Sequence, residues 1–456
     1  MPNLNIVILA AGKGTRMHSD LPKVLHEVGA KPILGHVLAA AKALQPSKII
    51  VVYGYGGETV KAQFDGEPIV WVKQAEQLGT GHAVQQALPH LEEGATTLIL
   101  LGDVPLVASR DCEKLINKAA DTLAILSFIK ADPSGYGRIV RDGQANVAAI
   151  VEHKDATEAQ RQIKEVNTGM MAMPNSLLVQ WLAKLSNNNA QGEYYLTDIV
   201  AMAVQQGVAV VAEITEDEWS VTGINAKSDL AQIERVYQQR YAEQLLKQGV
   251  TLKDPNRIDV RGDLQCGRDV QIDVNCLFEG QVVLGDRVKI APNCVIKNAV
   301  IAAGTQIAAF THIDDAKIGE EARLGPFARI RPGTTLADHT HVGNFVELKN
   351  AQVDSASKIN HLSYVGDATV GKNVNVGAGT ITCNYDGANK FRTVIEDDVF
   401  IGSDTQLVAP VTLAKGATIA AGSTITKDAP AGQLTFCRAK DQKSIAGWKR
   451  PVKIKK

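Results

Sequence analysis

The chain has 456 residues, of which 45% are hydrophobic, enough for two or three globular domains of ordinary size. Its formal net charge of −1 provides no general attraction to polyanions, so we expect no nucleic-acid partner and no stable membrane insertion. The first residues contain no basic stretch followed by a long apolar segment, which argues against a signal peptide and predicts a cytoplasmic location. The six cysteines include no C-x-x-C pair, so neither a structural zinc site nor a disulfide framework is indicated.

Up to about residue 225, short apolar runs alternate with helical patterns. The runs IVILAA, KIIVVYG and TLILLGD are too uniformly apolar for half-exposed strands, whereas PILGHVLAAAKAL and GHAVQQAL have helical spacing. This βαβ rhythm predicts an α/β domain over residues 1–227, with a Rossmann-like, mostly parallel sheet covered by helices. Ligands of such sheets bind beyond the carboxyl ends of the strands, so the loops there are the first candidates for chemistry.

The first predicted strand runs directly into the segment LAAGKGTRM, residues 9–17. Its two glycines allow backbone amides to approach a phosphate closely, and Lys13 and Arg16 supply positive charge. It is not a Walker A loop, because no glycine stands at the required upstream position, and Met17 replaces the third glycine of a dinucleotide fingerprint. A plain tight turn would explain the glycines, but neither both cations nor Lys23 shortly afterwards.

Residues 228–249 are predicted to form a helix that links the two halves of the chain. Leu230, Ile233 and Tyr237 have helical spacing, Ser228 is a plausible amino-terminal cap, and Gly249 ends the pattern.

From about Val260, mostly aliphatic residues recur at six-residue intervals over about 160 residues, and the register slips by one residue between successive blocks before it resumes. Such a period is typical of a parallel β-helix, in which each short strand stacks on its equivalent one coil later, whereas α-helices and coiled coils repeat near 3.6 or 3.5. We therefore predict a β-helix domain over residues 250–456. The repeating positions are Ile272, Phe278, Leu284, Ile290, Ile296, Ile301, Ile307, Ile313, Ile318, Leu324, Ile330, Leu336, Val342, Leu348, Val353, Ile359, Val365, Val370, Val376, Ile395, Ile401, Leu407, Leu413, Ile419 and Ile425.

One segment interrupts this repeat. After Val376, the stretch TITCNYDGANKFRT inserts about a dozen residues before the pattern returns at Ile395. Insertions in solenoids form loops that frequently bind ligands, and Asn384 and Tyr385 make this one chemically richer than its surroundings. After Ile425 the chain ends in a basic stretch, whose simplest interpretation is a solvated tail.

Three motifs of the first half occur in a familiar order: LAAGKGTRM followed by LPK, then Q-x-x-x-x-GT from Gln74, then LGDVP at residues 101–105. This order resembles the sugar-1-phosphate nucleotidyltransferases, in which a sugar phosphate attacks the α-phosphorus of a nucleoside triphosphate and expels pyrophosphate. All participants are anionic, so a divalent cation and basic side chains are required. Asp103, at the end of a buried strand, is the natural oxygen ligand for Mg²⁺, although a lone Asp there is more often a turn residue.

Further motifs narrow the resemblance: GYGRIV around Gly137, VEHKD around Glu152, VNTGM around Asn167 and TGIN ending at Asn225. Together with the second half, they make the whole chain resemble the bacterial bifunctional N-acetylglucosamine-1-phosphate uridylyltransferase and glucosamine-1-phosphate acetyltransferase family. The resemblance implies acetylation of glucosamine-1-phosphate by acetyl-CoA, then UMP transfer from UTP, feeding peptidoglycan and lipopolysaccharide precursors. It also implies a left-handed β-helix and a homotrimer assembled through it.

The resemblance assigns residues of the first half to specific roles. Asp103 and Asn225 would hold Mg²⁺, while Arg16 and Lys23 would act in catalysis at the triphosphate. UDP-N-acetylglucosamine would be bound by Leu9, Ala10, Ala11, Gly12, Lys23, Gln74, Gly79, Thr80, Leu101, Gly102, Asp103, Gly137, Glu152, Asn167 and Asn225.

In the second half, acetyl transfer to an amine needs a base that works near neutral pH. The resemblance identifies His361, in KINHLSYVG, as that base, although a lone histidine on a solenoid is more often merely solvated; Glu347 is a candidate for orienting it. The amino-sugar phosphate would be bound by Arg331, Lys349, Tyr364 and Asn375. Acetyl-CoA would be bound by Ala378, Asn384, Tyr385, Ser403, Ala421 and Arg438.

Two other functions stay open at this point. The chain could be a nucleotidyltransferase whose β-helix only assembles or regulates it, but such a solenoid would need neither His361 nor Arg438. The basic tail could instead bind nucleic acid or membrane, but it is short and has no interleaved aromatic residue apart from Trp448. Composition does not separate uracil from thymine, or acetyl-CoA from a longer acyl donor.

Overall fold

The computed structural model describes residues 3–437, and the chain divides into two compact units, Met1–Tyr237 and Gln238–Lys456. No helix in the described part is long and apolar enough to cross a membrane.

The first unit is built on a nine-stranded sheet. The strand Glu165–Pro174 runs antiparallel to both of its main neighbours, and the other adjacent pairs of the main path are parallel. A hairpin of Arg138–Arg141 and Val147–Val151 attaches beside it. This confirms the predicted α/β, mostly parallel architecture. The main path runs in the order Val210–Thr215, Leu123–Ile129, Glu165–Pro174, Thr96–Leu101, Leu4–Ala10, Lys48–Tyr53 and Val70–Lys73.

Helices cover both faces of this sheet, which explains the uniformly apolar strands. Ile6 and Ile8 belong to the core on one face and Val7 to the core on the other, because successive side chains of a strand alternate. All three are fully buried. The helices are Ile33–Ala43, Gly57–Gln63, Thr80–Ala87, Ser109–Lys118, Glu158–Arg161, Asn175–Leu182 and Asp198–Gln205.

The strand order locates the expected ligand crevice. Leu4–Ala10 pairs with Lys48–Tyr53 on one side and with Thr96–Leu101 on the other, so the order of strands reverses beside it. In open α/β sheets, ligands bind beyond the carboxyl ends of the strands at this reversal. The segments that flank it are residues 11–17 and 102–105.

The predicted connecting helix runs from Lys227 to Lys247. Ser228, expected to cap it, lies inside the helix; instead the Asp229 carboxylate accepts hydrogen bonds of 2.9 Å from the backbone N–H groups of Asn225 and Ala226. A carboxylate in the first turn also complements the positive end of the helix dipole. Gly249 follows the helix with a φ of 92°, which favours glycine and ends the helix as predicted.

The second unit consists of stacked coils with short parallel strands on three faces. One face is an eleven-stranded sheet, and the other two form a continuous fifteen-stranded sheet, because its first strands turn the corner between them. The eleven-stranded face contains Thr251–Leu252, Gln271–Ile272, Lys289–Ile290, Gln306–Ile307, Arg323–Leu324, His341–Asn344, Lys358–His361, Asn375–Val376, Phe400–Ile401, Thr418–Ile419 and Leu434–Thr435.

The corner-turning strands of the larger sheet are Ile258–Cys266, Cys276–Leu284, Val295–Ile301 and His312–Ile318. One of the two later faces contains Arg329–Ile330, Glu347–Lys349, Tyr364–Gly366, Ile381–Cys383, Gln406–Val408 and Thr424–Ile425. The other contains Thr334–Leu336, Gln352–Val353, Ala368–Val370, Thr393–Ile395 and Val411–Leu413.

The six-residue repeat supplies the core of these coils. None of the predicted repeat positions is more than 4% exposed. They also stack in register: Ile272 pairs with Ile290, Ile290 with Ile307, and Ile307 with Leu324. The predicted parallel β-helix is therefore confirmed.

The inserted loop is shorter than predicted. Ile381–Cys383 is a regular strand, paired with Tyr364 on one side and with Gln406–Val408 on the other. Thr382 is buried within it, so TITC belongs to the coil. The loop that leaves the coil spans residues 384–392 and is closed by a bridge between Tyr385 and Lys390.

Candidate functional site

Asp103 and Asn225, the two residues predicted to hold a metal, point toward the same place in the first unit. The Nζ of Lys23 lies 2.6 Å from Oδ2 of Asp103 and 3.4 Å from Oδ1 of Asn225. The Lys23 side chain is only 11% exposed, so the three side chains form a shielded cluster. The carboxylate oxygen of Asp103 and the amide oxygen of Asn225 both face the Lys23 ammonium group, and such oxygens are the ligands that a hard cation prefers. No group of three His, Cys, Asp or Glu side chains in residues 3–437 is arranged to hold a metal.

The glycine-containing loop after the first strand packs against this cluster. A Cβ at Gly14, whose φ is 61°, would lie 2.7 Å from the Cβ of Lys23, so a larger residue would displace the lysine. A Cβ at Gly12 would meet nothing within 4 Å, so the backbone there faces open space. Arg16 is exposed on the same loop, and the neighbouring Met17 anchors it by being 1% exposed. The loop thus presents backbone and charge to a ligand.

The next strand end closes tightly on this loop. The backbone N–H of Gly102 donates a 2.9 Å hydrogen bond to the carbonyl of Leu9, and Leu101 pairs with Leu9 in the sheet. A Cβ at Gly102 would lie 2.9 Å from the Cβ of Ala10. The predicted residues at 9–12 and 101–103 are therefore neighbours.

Gln74 is 3% exposed and held in one orientation. Its Nε2 lies 3.1 Å from the carbonyl oxygen of Gly79 and 3.0 Å from Nδ1 of His82. Because a carbonyl can only accept, the amide nitrogen must face Gly79, and Nδ1 of His82 is then an acceptor as well. Gly79 has a φ of 109°, and a Cβ there would lie 2.6 Å from the carbonyl of Tyr194. His82 was not predicted, since nothing in its local sequence indicates this contact.

Gly137, Glu152 and Asn167 come together beside the hairpin. The backbone N–H of Asn167 donates to the Gly137 carbonyl at 2.8 Å, and a Cβ at Gly137 would lie 3.3 Å from the Glu152 carboxylate. Burial raises the pKa of Glu152, although a 3.1 Å hydrogen bond from the Thr197 hydroxyl acts in the opposite direction. A largely buried carboxylate of this kind is suited to accept hydrogen bonds from neutral hydroxyl groups.

The segment 194–197 links these predicted residues, although no motif of the sequence indicates this connection. The backbone N–H of Leu196 donates to the Thr80 hydroxyl at 3.2 Å, and Thr197 reaches Glu152. Thr80 and Glu152 are therefore connected through a single tertiary segment, which local motifs do not reveal.

In the second unit, His361 lies at a corner of the coil, paired in register with Asn344. Its Nδ1 is 3.0 Å from Oδ1 of Asn344. The predicted acetyl-CoA residues Ala378, Ser403 and Ala421 follow along the same corner, because each lies two positions after a member of the stacked row that continues from Ile359: Val376, Ile401 and Ile419.

Glu347, considered as a residue that orients His361, is occupied elsewhere. Its carboxylate accepts a 2.6 Å hydrogen bond from Arg331 and lies 3.8 Å from Arg329. It therefore neutralises part of the predicted phosphate-binding charge, while Asn344 contacts the histidine.

A second cation lies beside Lys349. Close contact with Lys390, from the inserted loop, lowers the pKa of Lys349. Burial acts to raise the pKa of Asp367, but hydrogen bonds from Asn350 and Asn384 and the two lysines lower it overall. Asn384 thus anchors the loop through Asp367, and the loop carries Lys390 to the predicted phosphate position.

The remaining predicted residues are spread over the same coils. Tyr364 pairs with Glu347 one coil earlier, and Asn375 pairs with Lys358 on the eleven-stranded face. Tyr385 is 59% exposed on the loop. Arg438 lies outside the described residues.

Three family models match this chain. A MobA-like NTP transferase domain covers residues 6–166, a GMPPB C-terminal domain covers residues 260–353, and six bacterial transferase hexapeptide repeats cover residues 392–427.

Curated relatives match the whole chain. "Bifunctional protein GlmU" of Methylobacillus flagellatus is 67% identical over 453 residues, covering 99% of this chain and 98% of the relative. The protein of the same name from Thiobacillus denitrificans is 61% identical over 456 residues, covering 100% and 99%. That of Nitrosospira multiformis is 59% identical over 455 residues, covering 99% of both chains.

Proposed function

Because the chain belongs to the family of bifunctional GlmU proteins, we propose that it catalyses two consecutive steps of UDP-N-acetylglucosamine synthesis. Glucosamine-1-phosphate is first acetylated by acetyl-CoA, and UMP from UTP is then transferred to the product, with release of pyrophosphate. The observation that carries the proposal is the presence of two chemically different clusters. The first unit holds a shielded Lys23–Asp103–Asn225 cluster at the strand ends, and the second holds a histidine beside cations.

For acetyl transfer, the cations bind the substrate and the histidine acts as the base. Arg331 and Lys349 hold the sugar phosphate, and Nε2 of His361 removes a proton from the amine. The nitrogen lone pair then attacks the thioester carbonyl carbon, and the C–S bond breaks. The thiolate of CoA leaves and takes up a proton, and the amide forms. The small side chains of Ala378, Ser403 and Ala421 leave room along the corner for the slender arm of CoA.

For uridylyl transfer, the protein supplies position and charge. A phosphate oxygen of the N-acetylated sugar attacks the α-phosphorus of UTP, and the bond to pyrophosphate breaks. Arg16 and Lys23 neutralise the phosphates, and Gly12 allows the backbone to approach them. Asp103 and Asn225 would hold Mg²⁺, which when bound screens the charge that develops on the phosphates. Glu152 and Asn167 bind sugar hydroxyl or amide groups.

The second unit also carries a row of exposed aromatic residues. The rings of Phe310 and Phe327 stack at 4.9 Å between centroids, and those of Phe327 and Phe345 at 5.3 Å. These residues are 51%, 47% and 55% exposed. Contiguous exposed apolar surface often marks a protein interface. The row supports a homotrimer formed through the β-helix, as the resemblance implies.

The substrates UTP and acetyl-CoA are cytoplasmic metabolites, which favours a cytoplasmic location for the chain.

Two single substitutions test the proposal. His361→Ala should lower acetyl transfer by at least about 100-fold, the usual contribution of a general base, and leave uridylyl transfer within about twofold. Asp103→Asn should have the reverse effect. Acetyl transfer is measured from glucosamine-1-phosphate and acetyl-CoA, and uridylyl transfer is measured separately from N-acetylglucosamine-1-phosphate, UTP and Mg²⁺, each by mass spectrometry of the product.

Two outcomes would contradict this assignment. A parallel loss of both activities in either variant would refute independent sites. Full acetyl transfer in the His361→Ala variant would instead leave the β-helix with a role in assembly alone.

A further inference from the structure

The hydrogen bond between Asn344 and His361 follows from the coil geometry. Val342 pairs with Ile359 and Asn344 with His361, so the two side chains occupy the same position on adjacent coils. Adjacent strands lie about 4.8 Å apart, which brings such side chains within hydrogen-bonding distance. Backbone hydrogen bonds to both neighbouring coils fix this corner. The N–H of Leu362 donates to the carbonyl of Asn344, and the N–H of Gly379 donates to the carbonyl of His361, both at 3.1 Å.

The chemistry of this contact defines the state of the imidazole. The Asn344 oxygen can only accept, so the facing Nδ1 of His361 must carry the hydrogen. A neutral imidazole with hydrogen on Nδ1 has its lone pair on Nε2. That atom is then the one available to take a proton from a substrate amine.

We propose that Asn344 is a positioning residue that holds His361 in the tautomer and orientation required of the acetyl-transfer base. The inference rests on the proposed function of His361 and adds the residue that sets its reactive state. Glu347 does not fill this role, because its carboxylate is engaged by Arg331. A neutral amide orients the ring without placing another negative charge beside anionic substrates.

Charged groups near the histidine bear on the test. His341 interacts electrostatically with His361, and Lys358 lies on the same strand as His361. Glu347, held by Arg331, lies on the next face. The residue equivalent to His361 on the following coil, Ala378, is uncharged. An effect that belongs to Asn344 must therefore persist in a His341→Gln background.

The test uses the full-length enzyme with Asn344→Ala, Asn344→Asp and a matched control, Gln306→Ala, an outward-facing residue of the same sheet. Asn344→Ala should lower kcat for acetyl transfer by about 10- to 100-fold, a loss like that caused by removing the partners that orient metal-ligating histidines, with both KM values within about twofold. Asn344→Asp keeps the shape and an acceptor, so it should retain more activity. It should also move the acid limb of the acetyl-transfer pH profile upward by about one pH unit, because a carboxylate stabilises the imidazolium.

Uridylyl transfer should be unchanged in all three variants, and Gln306→Ala should match the wild type in both reactions. An unchanged kcat in Asn344→Ala, or an effect confined to KM, would overturn the inference, as would an unshifted profile in Asn344→Asp. These results are separable from failure of the proposed function, which His361→Ala tests directly. If Asn344→Ala does not fold, the near-isosteric Asn344→Asp decides by its pH profile alone.

Discussion

At the scale of single residues, both clusters depend on like or opposite charges brought together by the fold. Lys23 and Asp103 are 80 positions apart, and Lys349 lies on a coil whereas Lys390 lies on the inserted loop. Lys23, Asp103 and Asn225 could be named from the sequence because each belongs to a motif that carries the family resemblance. Such motifs could not predict His82, Thr197 or Asn344, whose contacts arise only from tertiary packing.

The lysine pair leads to a prediction about pH. Because Lys390 lowers the pKa of Lys349, Lys349 loses its charge at a lower pH than an ordinary lysine. The KM for glucosamine-1-phosphate should therefore rise as the pH increases through that lowered pKa. In Lys390→Met this rise should move to higher pH, because the repulsion is gone. At neutral pH the variant should nevertheless bind the phosphate about tenfold more weakly, or roughly 1.4 kcal/mol, because one cation is lost.

Steady-state acetyl-transfer kinetics between pH 7 and 10 would measure this. The control is Lys415→Met, since Lys415 pairs with Asp397 and Asp398 and has no part in the proposed site. A pH profile in Lys390→Met that coincides with the wild type would contradict the prediction.

At the scale of elements, the β-helix was predictable because the six-residue period of its inward-facing residues is visible in the sequence itself. Each coil repeats the same inward positions, so Ile272, Ile290 and Ile307 signal their own stacking. The predicted extent of the inserted loop is too long because Thr382 fills an inward position without being aliphatic. The order of strands in the first sheet was not predictable, since apolar runs identify strands but not their neighbours.

The stacked row of inward residues that contains Ile359 predicts where substitutions destabilise the second unit most. Ile359 is fully buried between Val342 and Val376, so Ile359→Ala should reduce the free energy of unfolding by about 2–5 kcal/mol. Lys358→Ala, one position away and exposed, should change it by less than about 0.5 kcal/mol. Denaturant titration followed by circular dichroism would compare them. Equal losses in both variants would mean that inward packing does not hold the coils together.

At the scale of the whole molecule, the exposed aromatic row bears on assembly. Phe310, Phe327 and Phe345 each have a positive φ between 56° and 60°, an unfavourable conformation for bulky residues. Retaining them there in contact with solvent would have no benefit for an isolated chain. We therefore propose that the row is buried against another copy of the chain.

The prediction is that Phe327→Asp dissociates the proposed trimer, because a carboxylate would be desolvated in an apolar interface. Sedimentation equilibrium of the full chain would measure the mass. The control is Val300→Asp, because Val300 is also 47% exposed but lies outside the aromatic row. Uridylyl transfer should survive dissociation, and an unchanged mass for Phe327→Asp would refute the role of the row.

The stacked corner that carries His361 also constrains how this chain can change in length. Successive inward positions such as Ile359 and Val376 are 17 residues apart, so an internal insertion of a few residues would rotate every later side chain away from its face. Adding a complete coil between His361 and Ala378 would keep each later side chain on its own face, but it would separate these two residues by about another 4.8 Å. Viable insertions must therefore bulge outward at a corner and return in phase, as residues 384–392 do, so added segments can enter this scaffold only through such loops.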